Sequence, residues 1–361
     1  MTSIDKLYEI GTSTWLDDLS RDRITTGNLD EIKASKSIKG VTTNPAIFAK
    51  AMSGGNAYDI QLADLKAAGS EVDAAVYAMS VKDVQDACDL FADVFEATGG
   101  KDGRVSIEVD PRYAADEERT VAQAAELAQL VDRPNVMIKI PATDESLPAV
   151  TATLAAGISV NVTLIFSVER YRQVIDAFRE GVRQAEANGH DVSTIHSVAS
   201  FFVSRMDTEV DNRLETIGTP EALELRGKAG IANARLAYQL FLDEFSDSSQ
   251  FPAGTNKQRP LWASTGVKNP DYPATMYVTE LAGPDTVNTM PEATLDAMLE
   301  QGEVRGDTLT GTAAEAQATF DKLEAVGIDL DDVVAVLERE GVEKFVDAWQ
   351  ELLDSMAQNL K

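Results

Sequence analysis

The sequence predicts an α/β protein whose strands close into a (β/α)8 TIM barrel. Three observations predict it. Eight short apolar or alternating stretches are each followed by a segment of helical periodicity, the order that produces a parallel sheet. Eight strands are the number that closes such a sheet, and 361 residues exceed the roughly 250 of an ordinary barrel, leaving room for added helices. No GxGxxG follows the first strand and no P-loop motif occurs, which weighs against an open doubly wound sheet. With no linker, repeat or low-complexity block, residues 1–361 read as one domain.

Ser13 to Leu16 form the first strand, which ends at Asp17-Asp18. Asn28 to Ser37 is a helix with Asn28 placed to cap it. Gly40 to Pro45 is the second strand, stopped by a proline that opens the next helix at its first position. From Asn56 to Thr98 the pattern is helical almost throughout, with Val81, Val84, Cys88, Phe91 and Phe95 at spacings of three and four. These additional helices, about 56–98, lie in the crossover between the second and third strands. Arg104–Asp110, Val136–Ala142, Ile158–Phe166, Ile195–Ser204 and Pro260–Val267 then supply five strands in close succession. Their helices fall at Glu117–Val131, Glu145–Ala156, Val168–Ala187, through about Phe245, and near Pro273–Ala282. A last strand, Asp285 to Met290, leads into acidic helices, about 312–361 being the C-terminal addition. Alternation does not decide whether those helices cover the barrel mouth or a second subunit.

The net charge of -28 argues against nucleic-acid or anionic-membrane surfaces, which need a basic footprint. An anionic substrate would therefore need a local basic pocket. A lone cysteine, Cys88, excludes an internal disulfide and a Cys-rich metal site, and its helical position reads as core. There is no signal-peptide pattern and no apolar run of membrane-spanning length. A reducing, cytoplasmic setting is expected.

Chemistry is read from the inward parity of the strands. In a barrel alternate residues point inside and function gathers at the strands' C-terminal ends. The fourth strand, Val136 to Pro141, puts Val136, Ile138 and Ile140 on one face and Met137, Lys139 and Pro141 on the other. Lysine is almost never buried without a partner or a purpose. A lysine on an edge strand reaching to solvent is the alternative. Its neighbours argue otherwise. Val105, Ile107 and Val109 leave Ser106, Glu108 and Asp110 inside, and Val160, Val162 and Leu164 leave Asn161 and Thr163. Ala199, Phe201 and Val203 leave Ser200 and Phe202. The second strand offers Thr42 and Asn44, the first Asp17, and the seventh Ser264 beside Trp262. Such a set is costly to bury without chemical use.

A dehydrated lysine condenses with a ketone to an iminium, an electron sink that lets a neighbouring C–C bond break. Glu108, on the adjacent strand, is placed to shuttle protons, and Asp17 to take the proton of the hydroxyl whose C–C bond breaks. Asn44, Asn161 and Ser200 suit the hydroxyls of a polyol, and Thr163 suits a water. The set describes a class I aldolase or an aldol-transfer enzyme that uses no cofactor. A zinc-dependent route is disfavoured, since His190 and His196 are the only histidines and are poorly placed.

The segments TTNPAIF from Thr42, SIEVDPR from Ser106, VMIKIPAT from Val136, GISVNVTLIFS from Gly157 and SFFVSRMD from Ser200 resemble the transaldolase family. They occur in that family's order and span most of the chain. The length and the WASTGVKNP segment from Trp262 look like its longer bacterial members. The resemblance implies transfer of a dihydroxyacetone unit between sugar phosphates in the non-oxidative pentose phosphate pathway. It implies Lys139 as the Schiff-base lysine, Glu108 and Asp17 as acid/base groups, and Thr163 as the residue orienting the catalytic water. Asn44, Asn161 and Ser200 would bind the dihydroxyacetone unit and Arg205 the phosphate, the other reading of Arg205 being a surface salt bridge with Asp207 or Glu209. Thr42, Phe202 and Ser264 would complete the binding surface. Many members carry a second arginine after the seventh strand. Here Lys268 is the only cation in Ser264 to Asn269, a point charge without the arginine fork. Relatives that release free dihydroxyacetone lack the glutamate at the position of Glu108. The expected assembly is a monomer or homodimer.

Overall fold

The computed structural model describes residues 1–361. Eight parallel strands close in sequence order: β1 Thr12–Leu16, β2 Gly40–Val41, β3 Arg104–Glu108, β4 Val136–Pro141, β5 Val160–Ile165, β6 Ser197–Phe202, β7 Arg259–Ala263 and β8 Thr286–Met290. Closure is made by β1 against β8, in register from Thr12 with Thr286 to Leu16 with Met290. A closed cylinder has no edge strand, which removes the solvent-reaching alternative for Lys139.

The helices begin where side chains satisfy the first free backbone N–H groups. Asp116 caps Glu117–Val131, Ser167 caps Val168–Ala187, and Asn44 caps Pro45–Ser53 with proline at its first turn. Residue 28 is helical rather than a cap. Gly27 precedes the Asn28–Ser35 helix, and the Asn28 side chain instead accepts from Arg23. An N-terminal helix, Ser3–Ile10, was not read from the sequence; Thr2 and Asp5 form its capping box. Between Pro273 and Gly283 only one turn forms, Met276–Thr279. The crossover addition is Asp59–Ala67, Val72–Leu90 and Ala92–Ala97. The C-terminal one is Ala313–Ala325 and the long Leu330–Asn359 helix. No helix is long and apolar enough to cross a membrane.

Apolar side chains divide by parity. Val105, Ile107, Ile138, Ile140, Val160, Val162, Ala199 and Phe201 join the core between strands and helices. Trp15, Met137, Val198, Leu261 and Val287 fill the inside of the barrel. Two expected parities fail. Leu164 does not face outward: the β5–β6 register shifts between Val162 and Ile165, Leu164 has φ 60°, and it joins the inner cluster while Ile165 takes the outer position. In β7, Leu261 and Ala263 face inward and Trp262 outward, where its indole donates to the Leu281 carbonyl. The run Leu261-Trp262-Ala263 is apolar throughout, so alternation carries no phase there.

The inner cluster continues upward through Leu164, Phe166 and Phe202 to Leu337 and Phe345 of the C-terminal helix. Gly341 makes that approach possible, because a Cβ there would lie 3.0 Å from the Phe166 ring. The helix thus covers the barrel mouth, the question that alternation left open.

Candidate active site

Glu108, Lys139 and Asn161 stand side by side on β3, β4 and β5 because of register. Glu108 pairs with Lys139, Lys139 with Asn161, and Pro141 with Thr163. Lys139 is 5% exposed. Its Nζ donates to the Thr43 carbonyl at 2.9 Å and lies 3.8 Å from Glu108 Oε2. The Phe345 ring from the C-terminal helix stands over it, 5.9 Å from Nζ to centroid. The amine is thus walled by the backbone just beyond β2, a carboxylate and an aromatic ring.

Glu108 Oε2 is buried without a protein hydrogen-bond partner. Burial raises the carboxyl pKa to about 7; the Lys139 charge opposes this and the Asp17 charge adds to it. Burial also raises the pKa of Asp17, against the pull of Lys139 and a hydrogen bond from Thr42. Thr42 Oγ1 donates to Asp17 Oδ1 at 2.8 Å and lies 2.5 Å from Thr289 Oγ1. Thr42 therefore fixes the Asp17 carboxylate and is itself fixed from β8.

Asn161 is wholly buried: its Nδ2 donates to Ser106 Oγ at 3.1 Å, and its Oδ1 accepts from Ser200 Oγ at 2.7 Å. This links β3, β5 and β6 in one polar chain across the barrel. Thr163 Oγ1 is buried and meets no protein partner. Asn44 Oδ1 accepts the Ile47 N–H at 2.9 Å as a helix cap, leaving its Nδ2 hydrogens uncommitted. Asp110, read as inward, lies beyond the end of β3 and is paired with Arg112.

Phe202 faces inward as expected, and the Arg205 guanidinium lies over its ring at 5.0 Å. Arg205 Nη1 is buried without a partner, and burial lowers its pKa. The surface salt bridge does not form: Glu209 is paired with Arg213, while Asp207 is held by Tyr277 and the Gly230 N–H. Ser264 is not an inward strand residue. It follows β7 at φ 55° and its Oγ meets Ser204 Oγ at 2.7 Å. Lys268 lines a pocket of about 220 Å³ with Ser204, Asp207 and Tyr272, and its charge favours the ionised form of Asp17.

Thr289 and Phe345 are the residues that sequence reading missed. In β8, Val287 and Met290 fall on opposite parities, so the inward phase is hidden. Phe345 lies in the C-terminal helix, where spacing marks it only as one apolar position among several. No three His, Cys, Asp or Glu side chains converge so as to ligate a metal.

This is a lysine held dry beside a carboxyl group that titrates near neutrality, inside an eight-stranded barrel. A family model described as Transaldolase/Fructose-6-phosphate aldolase matches residues 14–356. The chain belongs to this family. It is 60% identical over 358 residues to the transaldolase of Mycolicibacterium paratuberculosis, covering 98% of this chain and 96% of that one. It is 61% identical to the transaldolase of Mycolicibacterium smegmatis, over 97% and 95% of the two chains. The transaldolase of Mycobacterium tuberculosis is 59% identical, over 98% and 96%. At this identity across nearly the full length, the activity is that of the transaldolase kind, a transfer reaction.

Proposed function

We propose that the protein moves a dihydroxyacetone unit from sedoheptulose 7-phosphate or fructose 6-phosphate to glyceraldehyde 3-phosphate or erythrose 4-phosphate, through a Schiff base on Lys139. Nζ adds to the donor's C2 carbonyl, and Glu108 in its acid form protonates the departing hydroxyl, so that water leaves and an iminium remains. Asp17 takes the proton of the C4 hydroxyl as the C3–C4 bond breaks, the rest of the donor leaves as an aldose phosphate with C4 as its aldehyde, and the electron pair is held as an enamine on Lys139. The acceptor aldehyde then receives that pair, with Asp17 returning the proton. Water oriented by Thr163 releases the product.

Asn44, Asn161 and Ser200 hold the hydroxyls of the three-carbon unit. Arg205 takes the phosphate through its fork, with Lys268 as a second point charge. Thr42, Phe202 and Ser264 shape the surrounding surface. We read residues 1–361 as one domain, because the inner apolar cluster is continuous from the barrel into the C-terminal helix. Sugar-phosphate substrates fit a cytoplasmic enzyme of the non-oxidative pentose phosphate pathway, acting as a monomer or homodimer.

The observation that carries this reading is the buried Lys139 amine 3.8 Å from Glu108, a carboxyl whose pKa lies at about 7. The test is borohydride reduction in the presence of fructose 6-phosphate. It should add a reduced sugar or three-carbon adduct to Lys139, and label at another residue, or none, would refute the assignment. A coupled assay with and without erythrose 4-phosphate separates transfer from release of free dihydroxyacetone, and product formation should depend on the acceptor.

A further inference from the structure

The opposite end of the barrel holds a second concentration of positive charge. A cavity of about 340 Å³ opens where β3, β4, β6, β7 and β8 begin. Lys101, Lys257 and Arg259 line it against one carboxylate, Asp285. His196 in its wall is kept neutral, since burial, with Arg104 and Arg259 nearby, pushes its pKa down to about 3. Counting Asp102, which pairs with Arg259, three cations meet two carboxylates here, a local positive excess in a chain of net charge -28.

The partners of these cations do not account for all of them. Arg259, 6% exposed, donates to Ser13 Oγ, the Lys101 carbonyl and Asp102 Oδ1. Those three bonds fix its plane, and a guanidinium has five N–H donors, so two have no protein acceptor. Lys101 and Lys257 share Asp285 at 3.4 and 3.8 Å, long for ammonium–carboxylate contacts. A purely structural plug explains Arg259 with Asp102. It does not explain Lys101 and Lys257 at the same opening, which share the single Asp285 carboxylate, Lys257 also lying over the Phe241 ring at 5.8 Å.

We propose that this cavity binds a small phosphorylated metabolite, at a site separate from the Lys139 pocket. Arg259 supplies a fixed positive charge with two N–H groups, on Nε and Nη1, that have no protein acceptor, and two mobile ammonium groups close over the remaining charge of a phosphate. The volume lies at the lower end of ligand pockets, roughly 300 Å³ upward, and suits a phosphate with a short carbon chain.

The test uses inorganic phosphate as the probe, titrated by calorimetry into the full chain. Replacing Arg205 and Lys268 by Ala removes the two cations assigned to the substrate phosphate at the barrel mouth, and one saturable phosphate site should remain. Adding Lys101→Ala and Lys257→Ala should weaken that site at least tenfold with an unchanged melting profile, as both side chains are about half exposed and their only ion pairs are the long contacts to Asp285. Lys257→Glu alone should weaken it in the same direction. Absence of saturable binding in the first variant, or undiminished binding after the lysines are removed, would overturn the proposal.

Discussion

Glu108 and Lys139 occupy directly paired positions on β3 and β4, and their side chains leave Oε2 and Nζ 3.8 Å apart. That distance is too long for a direct hydrogen bond and short enough for one oxygen atom to bond both groups. A carbinolamine hydroxyl or a water set off the line between them would bond both, which is what proton delivery during imine formation and hydrolysis requires. The burial that raises the Glu108 pKa to about 7 leaves it part acid and part base near neutral pH.

The same burial has a cost in stability. An acid whose folded-state pKa is raised binds more protons when folded than when unfolded, so stability falls as pH rises from about 4.5 to about 7. Glu108→Gln should therefore raise the melting temperature relative to the parent at pH 8 and bring little gain at pH 4.5. The expected gain at pH 8 is on the order of 3 kcal/mol. Turnover should fall sharply in the same variant. A melting difference independent of pH would contradict the assignment.

Lys139→Ala should abolish transfer while leaving the far-UV circular dichroism spectrum intact, since the inner cluster around β4 keeps its apolar members. Residual transfer comparable to the parent enzyme would exclude Lys139 as the nucleophile.

Thr42→Val removes the donor to Asp17 Oδ1 and leaves Thr289 without that partner. A hydrogen bond to a charged group contributes about 1.5–3 kcal/mol, so kcat should drop about tenfold or more. The Thr42 bond lowers the Asp17 pKa, so the acid limb of the pH–rate profile should move to higher pH in the variant. A drop in kcat with an unmoved acid limb would argue that Thr42 does not act through Asp17.

Phe345→Ala should open the amine to water from the C-terminal helix side. The ratio of free dihydroxyacetone released to product transferred should rise, measured with limiting erythrose 4-phosphate. Removal of a buried phenyl ring should also destabilise the fold by about 3 kcal/mol. Destabilisation with an unchanged ratio would make Phe345 a packing residue only.

Arg205→Ala should raise the KM for fructose 6-phosphate about 10- to 100-fold, the loss of a charge-assisted phosphate contact. Unphosphorylated dihydroxyacetone should be affected far less. Equal loss for both substrates would remove Arg205 from phosphate binding.

By itself the sequence determined the barrel, the number of strands and the inward phase of β3, β4 and β6, because period-2 alternation is unambiguous where apolar and polar residues take turns. Glu108, Lys139 and Ser200 were legible for that reason, and Asn161 because β5 alternates cleanly up to Val162. Alternation failed where it carries no phase or is broken. The all-apolar Leu261-Trp262-Ala263 run misled the reading of β7, and the bulge at Leu164 turned one side chain inward. Only the tertiary structure decided that Thr289 braces Thr42 and that Gly341 lets the C-terminal helix bring Phe345 over Lys139. Those contacts join residues more than a hundred positions apart. Local periodicity records which face a side chain occupies, whereas barrel closure and helix docking decide what it meets there.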